Sequence, residues 1–141
     1  MVRRSTRTQP APRRRLSDGE CHEWLNSHRE GRLAYQTGRG PRSVVVSYAL
    51  SGESVMFKLP DYNDIVRYAP GERVTLEVEG VDETAGDFET VTVTGQAQLV
   101  TGRAEQDEPV AHFQEQWPDG VPTKVISLPL TEVEGKVGCW S

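Results

Sequence analysis

Apolar and polar residues alternate with a period of two along much of the chain. The alternation is clearest in two stretches, 73–79 and 88–94, where valine or leucine residues alternate with threonine or glutamate residues. Successive side chains of a strand point to opposite faces, so this pattern predicts strands with one buried face. Shorter β-branched or apolar runs bounded by Gly, Pro or Ser predict the others. The predicted strands are 32–35, 43–50, 54–58, 73–79, 88–94, 96–100, 124–130 and 132–137.

Helical signals are fewer and lie between or before the strands. Residues 17–20 have the S-x-x-E form of a capping box, and Cys21, Trp24 and Leu25 then share one face of a short helix that Gly31 is expected to end. Asp61 is predicted to cap a single helical turn that carries Ile65 and Tyr68 inward. A second full helix is predicted over 104–117.

This order of elements favours one fold class. The strands are short and joined by tight turns, and the helices are peripheral. No strand–helix–strand alternation is present, which argues against a Rossmann sheet. The sequence predicts a mainly β protein with a closed antiparallel barrel.

Charge divides the chain into two parts. Residues 1–15 contain six arginines and no acid, whereas the remainder has 10 basic and 21 acidic residues. The first part is also rich in Pro, Ser, Thr and Gln, so we expect a disordered basic tail over 1–15 and one domain over 16–141. An acidic domain makes nucleic acid an unexpected partner. No apolar run is long enough for a membrane span or a secretory signal, so a cytoplasmic location is expected.

Motifs for hydrolysis or metal binding are missing from the sequence. Cys21 and Cys139 lack a C-x-x-C spacing, the three histidines are scattered, and no G-x-S-x-G is present. Glu77 and Glu79 share the polar face of a strand, where solvation is the simpler explanation. No metal site is predicted, and no catalytic residue can be assigned.

The chain nevertheless resembles a known family over about 16–137, the FMN-binding split barrels related to pyridoxamine 5'-phosphate oxidase. The resemblance lies in the order and spacing of several short pieces: Gly31–Ala34, Val46–Tyr48, Phe57–Lys58, Val91–Ala97 and Val133–Gly135. It implies a six- to seven-stranded Greek-key split barrel that forms a homodimer. It also implies a flavin, FMN or alternatively a deazaflavin, bound in a groove where the two subunits meet.

The resemblance further implies which residues bind the cofactor. Backbone groups of Val45, Val46 and Ser47 would hold the flavin ring, and the hydroxyl of Thr90 would reach it from another strand. The phosphate would lie near Lys58, Asn63 and Arg67. The implied function is a flavin- or deazaflavin-dependent oxidoreductase acting on a small organic substrate, with the redox chemistry supplied by the cofactor.

Two positions depart from the family pattern. The family shows a Gly-x-Lys step after the third strand, and an ungapped alignment places Asp64 where that lysine would bind phosphate. Glu89 stands where relatives carry tryptophan. A carboxylate beside a phosphate is repulsive, so the alternative is a degenerate barrel that has lost flavin binding. Such a barrel would bind another ligand, or catalyse a cofactor-free reaction, at the dimer groove.

Overall fold

The computed structural model describes residues 14–82, 87–101 and 120–139. Its elements, in chain order, are β1 (Arg14–Arg15), α1 (Asp18–Ser27), β2 (Glu30–Thr37), β3 (Gly40–Ser47), β4 (Ala49–Ser51), β5 (Ser54–Pro60), α2 (Asp64–Tyr68), β6 (Arg73–Asp82), β7 (Asp87–Gln96), β8 (Gln98–Val100), β9 (Thr123–Pro129) and β10 (Glu132–Cys139). Neither helix within those ranges has the length and apolar character needed to cross a membrane.

The predicted capping box starts α1. The Ser17 hydroxyl accepts a hydrogen bond from the Glu20 backbone N–H at 3.1 Å, and the Glu20 carboxylate accepts one from the Ser17 N–H at 2.9 Å. These two bonds satisfy backbone donors that a helix start leaves without partners. Cys21 and Leu25 then face the core and are buried, as their spacing predicts.

Two antiparallel sheets close into a barrel. The first has the order β1-β10-β7-β6-β2-β3 and the second has the order β4-β5-β9-β8. β3 continues into β4 in the other sheet, and β7 continues into β8 in the same way. When each of these pairs is counted as one strand, six strands form a closed barrel in the order β2, β3–β4, β5, β9, β8–β7 and β6. β10 pairs with β7 as a seventh strand. The neighbours β6, β2, β3–β4 and β5 have the spatial order of a Greek key. The predicted fold class is confirmed.

The two sheets are joined at Tyr48 and Ala97, both of which are buried. Tyr48 separates β3 from β4; its backbone N–H donates to the Arg29 carbonyl at 2.9 Å, and its hydroxyl donates to the Leu25 carbonyl at 2.6 Å. The single strand predicted over 43–50 is therefore two strands in different sheets. The bend predicted at Gly95 lies instead at Ala97, because Gly95 keeps its ladder partner Val74.

The barrel interior is filled by the alternating apolar positions. Val74, Leu76 and Val78 of β6 are buried, as are their ladder partners on β7. Phe57 of β5 is also fully buried. Among the described residues the buried side chains are apolar apart from the hydroxyls of Tyr35 and Tyr48 and the Cys21 thiol, so hydrophobic burial provides most of the stabilisation of this fold.

Gly31 corrects one prediction. It does not end α1, whose C-cap is His28, but lies within β2 beside β6. A Cβ atom at this position would come within 2.9 Å of both the Glu77 carbonyl oxygen and Leu76 Cδ1. The glycine is therefore required by a close approach of two strands, which the local sequence pattern does not reveal.

The described chain begins before the predicted domain boundary. β1 pairs with Val137 and Lys136 of β10, and Arg15 forms an ion pair with Glu134 at 2.7 Å. Residues 1–13 and the helix predicted over 104–117 lie outside the described residues. The division into a tail over 1–15 and a domain over 16–141 stays a prediction.

Replacing Gly31 with alanine is expected to lower the free energy of unfolding by about 1–3 kcal/mol, because the β2–β6 pair must separate to admit the methyl group. Urea denaturation measures this change. Gly38→Ala is the matched control, since nothing lies within 4 Å of a Cβ there, and its effect should stay within about 0.5 kcal/mol. Equal effects of the two substitutions would contradict this account of Gly31.

Stability is expected to fall as the pH rises above about 10. Burial raises the pKa of Tyr48, and Arg29 opposes that rise only in part. The folded protein thus keeps a proton that the unfolded chain releases, so the stabilisation is complete below the ordinary tyrosine pKa and is lost as the pH approaches the raised value.

Urea titrations between roughly pH 8 and pH 11 measure this loss. Tyr48→Phe should cost about 1 kcal/mol at the lower pH, because the Leu25 carbonyl loses its donor. The free energy of unfolding of the variant should also fall less steeply as the pH rises. The buried Cys21 and Tyr35 also have raised pKa values and account for the decrease that remains. An unchanged alkaline slope would rule out Tyr48 as its source.

Candidate functional site

A groove of about 340 Å³ lies where the two sheets part between β3 and β5. Val44–Ser47 of β3 form one wall, Lys58 and Leu59 of β5 form another, and Asn63–Ile65 at the start of α2 close one end. Four consecutive residues of β3 line the groove. Side chains on one face of a strand belong to every second residue, so a groove on one face would be lined by alternate residues only. The groove therefore runs along the edge of this strand.

The edge position of β3 follows from the topology. Among the described strands it pairs with β2 alone, so its second edge presents main-chain N–H and C=O groups along the groove. Val45 projects outward from this strand and is 60 % exposed. Such an edge can bind the polar rim of a flat heterocycle.

Five of the seven predicted cofactor-binding residues meet in this groove: Val45, Val46, Ser47, Lys58 and Asn63. They come from two strands and a helix N-terminus, and barrel closure brings these elements together. Their role as cofactor ligands stays a prediction.

The sequence pattern predicted Asp61 as the N-cap of α2. The N-cap is instead Asn63. The Asn63 side-chain oxygen accepts a hydrogen bond from the Ile65 N–H at 2.8 Å, while Asp61 is exposed. The helix thus starts two residues later than a cap at Asp61 would require. As a result, Asp64 occupies its first turn and lines the groove.

The other two predicted residues lie elsewhere. The Arg67 guanidinium is 5.4 Å from the centre of the Tyr68 ring, is exposed, and does not line the groove. Thr90 is on β7, which β6 and β2 separate from β3. Three strand spacings amount to about 14 Å, so Thr90 does not reach the groove of its own chain.

Thr90 contributes instead to a second depression, on the outer face of the first sheet. Its strand partners are Glu79 and Lys136. The remaining lining residues are Glu77, Phe88, Thr92 and Glu134. Glu77 and Glu79 are exposed, in agreement with a solvated polar face.

Sequence reasoning missed two polar residues of the groove, Tyr35 and Arg42. They face each other in the β2–β3 hairpin, where the ladder also pairs Thr37 with Gly40. Counting outward from that turn would have placed Arg42 beside Tyr35, but the apolar pattern gave no reason to single out either residue. Arg42 adds a second cation to the groove that already contains Lys58.

The charges of the groove act on the Tyr35 phenol. Burial raises its pKa most strongly, the Asp64 carboxylate and Tyr68 raise it further, and the Arg42 guanidinium lowers it. Tyr35 is 4 % exposed. Its hydroxyl therefore stays protonated at neutral pH and can donate a hydrogen bond.

The Cys21 thiol does not have the properties of a nucleophile. Burial raises its pKa, and Asp18 and Glu20 raise it further, so the reactive thiolate is disfavoured. Within the described ranges, no group of three or more His, Cys, Asp or Glu side chains is arranged to hold a metal ion.

Solved structures of low sequence identity share this fold. An FAD-binding protein from Mycobacterium smegmatis is 20% identical with a TM-score of 0.80, covering 91% of this chain and 100% of its own. An FAD-binding protein from Mesorhizobium loti is 21% identical, with a TM-score of 0.72 and coverage of 89% and 98%. An FAD and heme binding protein from Mycobacterium smegmatis is 11% identical, with a TM-score of 0.73 and coverage of 89% and 73%.

No curated protein matches the chain by sequence. The family comparison is more specific, because a model for pyridoxamine 5'-phosphate oxidase matches residues 17–137. This range runs from the N-cap of α1 into β10 and takes in every strand of the closed barrel. The chain therefore belongs to the pyridoxamine 5'-phosphate oxidase family.

Proposed function

We propose that this protein is a flavin-dependent oxidoreductase that acts on a small organic molecule and works as a homodimer in the cytoplasm. The observation that supports this most strongly is the groove between β3 and β5. It combines the edge of β3, which pairs with no second strand among the described residues, with two cationic side chains, Arg42 and Lys58. A flavin nucleotide needs both, since its ring has a polar rim and its side chain carries phosphate.

The residues of the groove fit such a cofactor. Main-chain groups of Val45 and Val46 would face the ring, and Lys58 and Arg42 would attract the phosphate. The Asn63 amide, whose oxygen caps α2, retains N–H donors for a ligand oxygen. The bound flavin supplies the transfer of hydride or electrons, while the protein positions it and shields it from water.

Relatives of the same fold support a flavin but leave its identity open. Two of the solved structures described above are FAD-binding proteins, and a third binds FAD and heme. FMN and a deazaflavin are the cofactors that the family resemblance suggests. The cofactor is therefore proposed as a flavin, with FMN, FAD and a deazaflavin to be compared directly.

We expect a second copy of the chain to complete the groove. A volume of about 340 Å³ is at the lower end of the roughly 300–1,000 Å³ typical of small-molecule pockets. The exposed Val45 is a suitable centre for a contact with a second copy. Thr90 is too far from the groove of its own chain to bind a flavin there. In a dimer, it would instead contact the flavin bound in the groove of the partner subunit.

One observation favours the alternative, a degenerate barrel that has lost flavin binding. Asp64 lines the groove at the end where the family places a lysine, and its carboxylate repels phosphate. A barrel that has exchanged a flavin for another ligand would show this kind of substitution. Arg42, which faces the same groove, counters the argument by restoring a positive charge.

Titration with flavins tests the proposed function. The wild-type protein should bind FMN, FAD or a deazaflavin with a change in the flavin spectrum and a rise in melting temperature. Arg42→Gln and Lys58→Gln should each weaken binding of the phosphorylated flavins by about tenfold, while riboflavin is affected little. A protein that binds neither riboflavin nor any flavin nucleotide would favour the degenerate barrel.

The oligomeric state provides an independent test. Wild-type protein should have twice the 15.7 kDa mass of one chain by light scattering. Val45→Lys should shift it toward the monomer, because the substitution places a charge in a desolvated contact. Val45→Thr keeps the shape of the side chain and should leave the dimer largely intact. Dimerisation that withstands Val45→Lys would place the interface elsewhere.

A further inference from the structure

The second depression, on the outer face of the first sheet, is acidic. Its charged lining residues, among those described, lie on β6 and β10 and are Glu77, Glu79, Glu134 and Lys136. Three carboxylates against one ammonium group leave two net negative charges. Such a surface attracts a cationic partner.

One cation from the start of the described chain already binds at the edge of this depression. Arg15 of β1 forms an ion pair with Glu134 at 2.7 Å. β1 also pairs with β10, where Arg15 lies opposite Lys136. The chain therefore enters the described structure at the border of the acidic surface. This contact points beyond ordinary solvation of exposed carboxylates.

The opposite side of the depression lacks such a cation among the described residues. Glu77 and Glu79 are exposed and form no ion pair within those ranges. Arg32, which faces Glu77 across the β2–β6 ladder, donates instead to the Ser43 hydroxyl at 3.5 Å. The two carboxylates share one strand face about 7 Å apart. They repel each other, so a cation between them is favourable.

Residues 1–13, which precede β1, have the complementary charge. They contain no acidic residue and four arginines, Arg3, Arg4, Arg7 and Arg13. An extended chain of this length spans about 43 Å. Glu77 and Glu79 on β6 lie two strand spacings from β10, which is about 10 Å. The segment is therefore long enough to cross the whole depression.

We propose that residues 1–13 dock in the second depression of their own chain, with their arginines against Glu77 and Glu79. Attachment to β1 holds the segment beside this surface, so exposed ion pairs of modest strength suffice. The inference does not rest on the flavin function. Thr90 lines the same depression, so in the dimer proposed above the docked segment would border the groove of the partner subunit.

Limited digestion of the full-length protein with trypsin tests this docking, because trypsin cleaves after arginine and a docked segment is protected. Intact mass reports the loss of the first seven residues by cleavage after Arg7. Glu77→Gln/Glu79→Gln should be cleaved there about threefold to fivefold faster than wild type, since cleavage follows the population of undocked segment. Raising the salt from about 0.05 M to about 0.5 M should largely remove this difference.

A matched double variant separates the depression from the overall charge of the protein. Glu53→Gln/Glu72→Gln also removes two exposed carboxylates, but neither of these residues lines the depression. Its rate of cleavage after Arg7 should equal that of wild type.

Equal cleavage of wild type and Glu77→Gln/Glu79→Gln at low salt would overturn the inference. Protection that disappears on dilution over about a hundredfold range of protein concentration would overturn it too, because the segment would then dock on a second copy. Protection that is independent of concentration, and that only the Glu77→Gln/Glu79→Gln variant loses, supports docking within one chain. Neither result depends on flavin binding, so this inference and the proposed function stand or fall separately.

Discussion

The structure depends on one segment serving two sheets. From Gly40 to Ser51 the chain pairs first with β2 and then, after Tyr48, with β5. The turn is possible because Tyr48 leaves both ladders and satisfies its polar groups on α1 and on the residue before β2. Its N–H bonds to the Arg29 carbonyl and its hydroxyl to the Leu25 carbonyl. Without such bonds a buried corner would leave polar groups unpaired at considerable cost.

The candidate site is a direct consequence of this corner. As β3 turns away from β5, the barrel remains split along the edge of β3, and main-chain groups there are available to a ligand. The α2 turn closes one end because Asn63 caps it immediately after β5. The fold thus provides the shape and the main-chain groups, and Arg42, Lys58, Asp64 and Tyr35 add charged and hydroxyl side chains to the lining of the groove. Relatives that share the fold at 11–21% identity can therefore differ in ligand, because function resides in the site and not in the architecture.

Much of the architecture was predictable because its determinants are local. The period-two alternation in 73–79 and 88–94 specified the buried faces of β6 and β7, and the S-x-x-E box specified the start of α1. The family resemblance implied that Lys58 and Asn63 lie at the cofactor site, and both residues line the groove. Errors arose where a local signal had two explanations. Gly31 resembled a helix stop but is needed for a strand contact, and Asp61 resembled an N-cap although Asn63 fills that role.

What the sequence determined alone is the alternation of buried and exposed positions, since this depends on neighbours two to four residues apart. The tertiary structure decided which distant residues meet. The register of the β2–β3 hairpin set Arg42 beside Tyr35, and barrel closure brought both to Lys58 and Asp64. The same closure left Thr90 three strand spacings away from β3. These contacts depend on how the sheets close on each other, and a one-dimensional pattern carries no information about that geometry.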